Sequence, residues 1–242
     1  MKTRFLLKQV LPAAFVFLSA AIFTFAQDLP GNKQNARPEP ATATRAPNAT
    51  SVDPVKYSYE FNQPKFYIRH IVLQHDATGR GTITFERLNE DVPVVEPLEL
   101  SPAALARISS LWEALKFLDS DTNYQSSQQF AHLGTMKIGM ERGDRKRFAE
   151  FNWTHNDSAA ALVSEYRRAS DQAILVFDIS VARENQPLNA PKLMEVLESL
   201  LKRDGLSDPK QLVPLLKDIS SDDHVPLIAR NHALRLIKQI EK

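Results

Sequence analysis

The sequence of 242 residues contains no cysteine, and this absence excludes several kinds of chemistry at once. Without thiols the chain can form no disulfide, no thiolate metal site and no cysteine nucleophile. The stability of the fold must therefore come from an ordinary hydrophobic core.

Glycine is also scarce, with seven residues in the whole chain. No glycine-rich phosphate loop and no Gly-x-Ser-x-Gly nucleophile elbow occurs, so the usual sequence marks of nucleotide binding and of an α/β-hydrolase are missing. Gly79 and Gly81 stand between two predicted strands, where they indicate a hairpin.

The first 26 residues have the layout of a secretory signal peptide. A head with three basic residues precedes an apolar run over residues 10–25. Small residues follow just before the expected cleavage point, and the last of them is Ala26, before Gln27. The apolar run is shorter than the stretch of about 20 residues that a membrane-spanning helix needs. We therefore expect cleavage after Ala26 and export to the periplasm or the exterior, and retention of the segment as a membrane anchor is the alternative. Gln27 in place of cysteine excludes a lipoprotein anchor at the new N-terminus.

The charge balance excludes two further classes of partner. Cleavage would remove three of the 30 basic residues and leave 27 basic against 29 acidic side chains. Because neither sign dominates, no strong electrostatic field favours nucleic acid or an anionic membrane.

The composition divides the rest of the chain into three parts. Residues 27–55 are rich in proline, alanine, threonine and asparagine and are predicted to form a disordered linker, because they have too little apolar surface to offset the entropy of ordering. Residues 56–187 are predicted to form an α+β domain. Residues 188–242 are predicted to form an all-helical tail packed on that domain.

The predicted fold of the domain is an antiparallel sheet of four to five strands, in the order ββ(β)αββα, covered by helices. β-branched and aromatic residues indicate strands over 66–74 and 82–88. Residues 92–100 are predicted to add an edge strand, because Pro93 and Pro97 would remove hydrogen bonds from a central one.

Two helices and a second hairpin complete the predicted domain. Ser101 followed by Pro102 is typical of a helix start, and apolar residues continue from there at helical spacing. Alternating apolar and polar residues predict the hairpin over 136–153. The second helix is predicted from a cap at Asn156 or the next residue to about Glu184, since no glycine or proline interrupts it.

The tail is predicted to contain helices over residues 191–203, 209–219 and 223–240. Leu212-Val213-Pro214-Leu215-Leu216 and the later run from Pro226 to Leu234 make residues 207–242 resemble a HEAT-type helical hairpin. The resemblance implies a helical surface that binds a partner and carries no chemistry.

A single helical pair is too little for a solenoid, which needs about three such units to bury its own core. The pair is therefore predicted to cap the preceding domain. The apolar residues that this packing should bury are Leu215, Leu216, Leu227, Leu234 and Ile237.

No catalytic, cofactor-binding or metal-binding residue is predicted. Residues 119–123 match the Asp-x-Asp-x-Asn opening of a calcium loop, but Tyr124 and Phe130 stand where the loop needs its glycine and its bidentate glutamate. The six histidines do not have the spacing of metal ligands. They are His70, His75, His132, His155, His224 and His232.

The other polar and aromatic motifs are predicted to be structural. The basic run over residues 142–147 lies at a predicted hairpin tip, which indicates a solvated turn. Trp112 and Trp153 could stack on a sugar ring, but both lie on apolar faces, which predicts core packing. Four glutamates near strands could form a catalytic carboxylate pair, although solvent-facing positions explain them as well: Glu86, Glu90, Glu141 and Glu150.

These observations favour an exported, non-catalytic module that binds another protein or an envelope component. One alternative is a hydrolase-type enzyme whose site is assembled from the 119–134 loop and the strand ends. The other is a structural subunit that self-associates through its helical tail. A deep pocket with titratable groups would favour the enzyme, and a flat apolar patch on the tail would favour self-association.

Overall fold

Six antiparallel strands of the described residues form one sheet in the order β4-β3-β2-β1-β5-β6. The structure is a computed structural model that describes residues 53–242, so the predicted signal peptide and the predicted linker as far as residue 52 lie outside the described residues. The strands are β1 Val55–Asn62, β2 Ile68–Asp76, β3 Arg80–Arg87, β4 Val94–Glu99, β5 Thr135–Arg142 and β6 Arg145–Phe151.

The central strand, β1, was not identified from the sequence, so the predicted four to five strands are in fact six. Its apolar side chains occupy every second position and point to the buried face of the sheet, as in a half-buried strand. Tyr59 lies opposite Leu73 of β2 on one side and opposite Ile138 of β5 on the other. The edge position predicted for β4, which contains Pro97, is confirmed.

In the described part of the chain, five α-helices accompany the sheet, and the predicted α+β class is confirmed. They are α1 Pro102–Leu115, α2 Asp157–Asn185, α3 Ala190–Lys202, α4 Val213–Ser221 and α5 Leu227–Ile240. The Ser101 hydroxyl caps α1 by accepting from the Ala104 amide, and the Asn156 side chain caps α2 in the same way at Ala159. None of the helices in the described part of the chain combines the length and the hydrophobicity needed to span a membrane.

The long helix α2 contributes to two hydrophobic cores. Its first half packs with α1 on one face of the sheet, and this first core includes Tyr166 and Ile174. Its second half packs with α3, α4 and α5, and this second core includes Leu175, Ile179 and Leu216. One continuous helix therefore joins the sheet to the helical tail.

Polar contacts fix the tail along α2. Buried Glu165 accepts from Arg107 of α1, whose guanidinium also donates to the Ser207 carbonyl at 2.6 Å. Buried Gln172 accepts from the Asp208 amide at 2.9 Å. Nearer the end of α2, Arg183 pairs at 2.5 Å with Asp222 in the segment before α5. This pair, together with the hydrogen bond from the backbone amide of His224, lowers the pKa of the Asp222 carboxyl to about 2.

The buried face of α5 differs from the prediction. Leu216 and Ile237 are buried as expected and Leu215 is half-buried, but Leu227 and Leu234 are 62% and 46% exposed. The helix instead turns another face to the second core, which holds Ala229, Ala233, Leu236, Ile237 and Ile240. Leu227 and Leu234 are seven residues apart, so they lie together on the opposite face.

Candidate ligand-binding groove

A groove of about 770 Å³ opens between the sheet and α2, a volume within the usual range for a small-molecule site. Its floor is the end of the sheet where β1, β2 and β5 meet, with Tyr59, Phe61 and Met136. Its wall is α2, with Val163 and Ile174. The lining is mainly apolar because the alternation of each strand points its apolar side chains towards the helix.

Exposed aromatic side chains form the rim of this groove. Phe66, Tyr67 and Trp153 line it and are 45%, 61% and 41% exposed. Core packing is confirmed for Trp112, which is buried, but the same prediction for Trp153 is wrong. Strand β6 ends at Phe151, so the face alternation no longer applies to Trp153, and its ring packs edge-on against Phe130 in the preceding loop.

The loops after β1 and before β5 are held together where they form this rim. The buried side chain of Gln63 donates from its Nε2 to the carbonyl oxygens of Ala131 and His132, both at 3.0 Å. Gly134 has a φ of +85°, and a Cβ there would lie 2.7 Å from the Phe61 ring. A glycine is therefore required for the second loop to pass against the aromatic floor.

Two charged side chains of α2 face the groove one helical turn apart. Arg167 is exposed, and its guanidinium lies 5.8 Å from the centroid of the Phe61 ring. Burial raises the pKa of the Asp171 carboxyl, while the charges of Arg203 and Arg167 act against that shift. Tyr59 lies on the floor below them, and burial raises the pKa of its hydroxyl to about 12.

The buried histidine belongs to the first core. Trp112 donates from Nε1 to the Tyr166 hydroxyl at 2.9 Å, and that hydroxyl is 2.9 Å from Nε2 of His75. Since Nδ1 of His75 lies 2.7 Å from the Asp76 carbonyl, Nδ1 carries the proton and Nε2 accepts from Tyr166. Burial lowers the pKa of His75, so the ring is held neutral in a closed hydrogen-bond chain between β2, α1 and α2.

The opposite, solvent-facing side of the sheet carries a ladder of charges centred on His70. Its Nδ1 is 3.1 Å from Glu86 and its Nε2 is 3.0 Å from Glu60. Arg69 donates to Glu86 at 3.0 Å, and Lys137 lies 3.8 Å from Glu60. Partial burial lowers the pKa of His70, but the hydrogen bonds and charges of the two glutamates outweigh this effect, and the net shift is upward.

Substitution of His70 by glutamine should remove a pH-dependent part of the stability. Because the folded-state pKa of His70 is raised, its contribution is fully present below the unfolded-state value of about 6.5 and is lost as the pH rises through the folded-state value. The free energy of unfolding should be higher for wild type than for H70Q, and we expect this difference to be larger at pH 5.5 than at pH 8.5. The change between the two pH values should be about 0.5–1 kcal/mol, as for a partly exposed ion pair. Urea unfolding at both pH values measures this, with H155Q at an exposed histidine as the control. An equal difference at the two pH values would show that His70 does not interact with the glutamates.

The other motifs of the sequence lie away from the groove. In the calcium-like segment, the Asp119 carboxylate accepts from Arg145 at 2.5 Å and the Asn123 side chain accepts from the Gln125 amide at 3.0 Å. Arg147 of the basic hairpin donates to the carbonyls of Phe117 and Thr122, so this run fixes the loop after α1 in addition to forming a turn. Within residues 53–242, no three His, Asp or Glu side chains are arranged to hold a metal ion.

The four glutamates do not form a pair across a cleft. Glu86 pairs with His70 and Arg69, Glu90 with Arg87, and Glu141 with Lys146. Glu150 lies on the edge strand β6 and is exposed. Among residues 53–242, those that line the groove include neither serine nor histidine.

The groove could not be predicted from the sequence because its lining comes from separate parts of the chain. The only local signals were the exposed aromatic pair Phe66-Tyr67 beside Pro64 and the pair Arg167 and Asp171 on an otherwise apolar helix face. In residues 207–242, α4 and α5 pack against each other as one helical pair. The resemblance of this pair to a HEAT-type hairpin stays a prediction. Comparison with models of known protein families finds no match to this chain, and comparison with curated proteins finds none either.

Proposed function

We propose that this protein is an exported, non-catalytic binding module that holds an apolar envelope component in the groove. The observation that carries the proposal is the aromatic rim around an apolar floor, where Phe66, Tyr67 and Trp153 remain exposed. Large aromatic side chains at the mouth of an apolar site are typical anchors for a ligand, since they supply contact area at a small entropic cost.

The groups that line the groove support binding better than catalysis. Its charged side chains are Lys65, Arg167 and Asp171, and its hydroxyl groups belong to Tyr59, Tyr67 and Thr154. A hydrolase that uses a side-chain nucleophile needs a base in reach of it, and His75, a histidine of the same sheet face, is buried in its own closed hydrogen-bond chain. Residues of the lining are therefore suited to contact a ligand and not to transform it.

The proposal predicts that the neutral fluorescent probe N-phenyl-1-naphthylamine binds in the groove. Replacement of Trp153 by alanine should weaken this binding about tenfold or more, because loss of one aromatic contact of about 1.4 kcal/mol or more corresponds to that factor. The matched control is F148A, which removes a somewhat more exposed aromatic from the other face of the sheet and should leave binding unchanged. Equal weakening by both substitutions, or no binding to wild type, would contradict the proposal.

A further inference from the structure

The arrangement of Arg167 indicates the head group of the ligand, on the assumption that the proposed function is correct. The guanidinium is held on the groove wall by uncharged partners: its Nη2 lies 3.5 Å from the Met136 sulfur, its carbon lies over the Phe61 ring, and it contacts the Tyr59 hydroxyl. Within the described residues it makes no ion pair with a carboxylate. The next residue, Arg168, is bound by both Glu165 and Asp204.

The charges of the groove favour a ligand with one negative charge. Lys65 and Arg167 face Asp171 alone, which leaves an excess of one positive charge in the lining. Asp171 lies one turn along α2 from Arg167, but the two side chains do not form an ion pair within hydrogen-bonding reach in the described structure. The Tyr59 hydroxyl is the hydrogen-bond partner of Arg167 on the floor. Since no carboxylate of the described residues is paired with it, the remaining N–H groups of the guanidinium can bind a planar anion through two parallel hydrogen bonds.

We propose that the ligand is a single-chain carboxylic acid, with its carboxylate on Arg167 and its apolar chain between Phe61, Met136 and the aromatic rim. A guanidinium without a carboxylate partner among the described residues fits a carboxylate ligand, and the apolar floor continues from Phe61 and Met136 directly beneath it. A groove of about 770 Å³ offers room for such a chain. The solvent-exposed position of Arg167 lets the head group stay at the mouth, so that only the chain leaves water.

Calorimetric titration of the full protein with dodecanoate, dodecanol and dodecylamine, all kept below their micelle-forming concentrations, tests the inference. Dodecanoate should bind about tenfold or more tightly than dodecanol, because a charge-assisted pair of hydrogen bonds is worth at least that factor. R167Q should abolish this advantage while it retains dodecanol binding, and R167E should shift the preference to dodecylamine. R235Q, at an exposed arginine of α5, is the control and should bind like wild type.

The possible outcomes separate this inference from the proposed function. Equal binding of dodecanol and dodecanoate by wild type would overturn the inference and leave the groove as an apolar binding site. Binding to phosphatidylglycerol vesicles without binding of free dodecanoate would make the occupant a membrane surface and would also overturn it. Failure of all three ligands and of the naphthylamine probe would contradict the proposed function itself. Since Arg167 is exposed, equal thermal midpoints for its variants and wild type would show that the variants are folded.

Discussion

Replacement of Tyr166 by phenylalanine is expected to lower the free energy of unfolding by about 2–6 kcal/mol, although it removes a single oxygen atom. That hydroxyl accepts from Trp112 and donates to His75, and all three side chains are buried. Its loss leaves one donor and one acceptor without partners in the first core, and each such group costs about 1–3 kcal/mol. Urea unfolding followed by circular dichroism measures the difference.

The matched control for this change is Y67F. Tyr67 lies on the exposed rim of the groove, so loss of its hydroxyl should change the stability by less than about 0.5 kcal/mol. A Y166F protein as stable as Y67F would mean that water or a rearranged side chain satisfies Trp112 and His75, and the hydrogen-bond chain would then not stabilise the core.

Replacement of Leu216 by alanine is expected to cost about 2–5 kcal/mol, the range for a buried leucine whose neighbours cannot close the cavity. Leu216 lies in α4 and is fully buried in the second core. Because α2 belongs to both cores, the loss should lower the stability of the sheet as well as that of the tail. Far-UV circular dichroism, which follows all helices, and tryptophan fluorescence, which comes from Trp112 of the first core and Trp153 of the groove rim, should therefore report one coincident transition.

The control for this variant is L234A, on the exposed face of α5. It should cost less than about 1 kcal/mol, since Leu234 is 46% exposed. If the helical signal of L216A were lost before the tryptophan fluorescence changed, the tail would be an independent unit and the coupling through α2 would be wrong.

The same control variant bears on the alternative function of the tail. Leu227, Ile228 and Leu234 are exposed on α5, which is the feature that would support self-association. Sedimentation equilibrium would distinguish the two cases. A wild-type dimer that L234A converts to a monomer would favour a self-associating subunit, whereas monomers of both proteins would leave the groove as the proposed interaction site.

The helices were predictable because their signals are local. A helix start is marked by a cap whose side chain accepts from an amide three residues later, as at Ser101, before Pro102, and at Asn156. The long uninterrupted periodicity of α2 predicts its end to within one residue. The face that α5 buries was not predictable, because Leu227 and Leu234 compete with Ala229 and Ala233 for the core. Close packing against α3 and α4 selects the smaller alanines, and that requirement is set by other helices.

The sheet was only partly predictable. Hairpins are predictable because their two strands are close in sequence. The sequence around β1, which follows a proline-rich stretch, contains no signal that this strand lies in the middle of the sheet. The groove depends on the tertiary approach of the loops after β1 and before β5 to α2, held by hydrogen bonds from Gln63 to residues 131 and 132. No spacing rule connects these segments in the sequence.

The central place of β1 has a consequence for biosynthesis. As the ribosome releases the chain from its N-terminal end, β1 to β4 can pair in turn as successive hairpins, while the other edge of β1 waits for Thr135–Arg142. Until then its unpaired backbone groups are a template for association with other nascent chains. Arrival of β5, a partner distant in sequence, is therefore expected to limit the folding rate. A nascent or exported chain would need protection of that open edge until residue 142 has emerged.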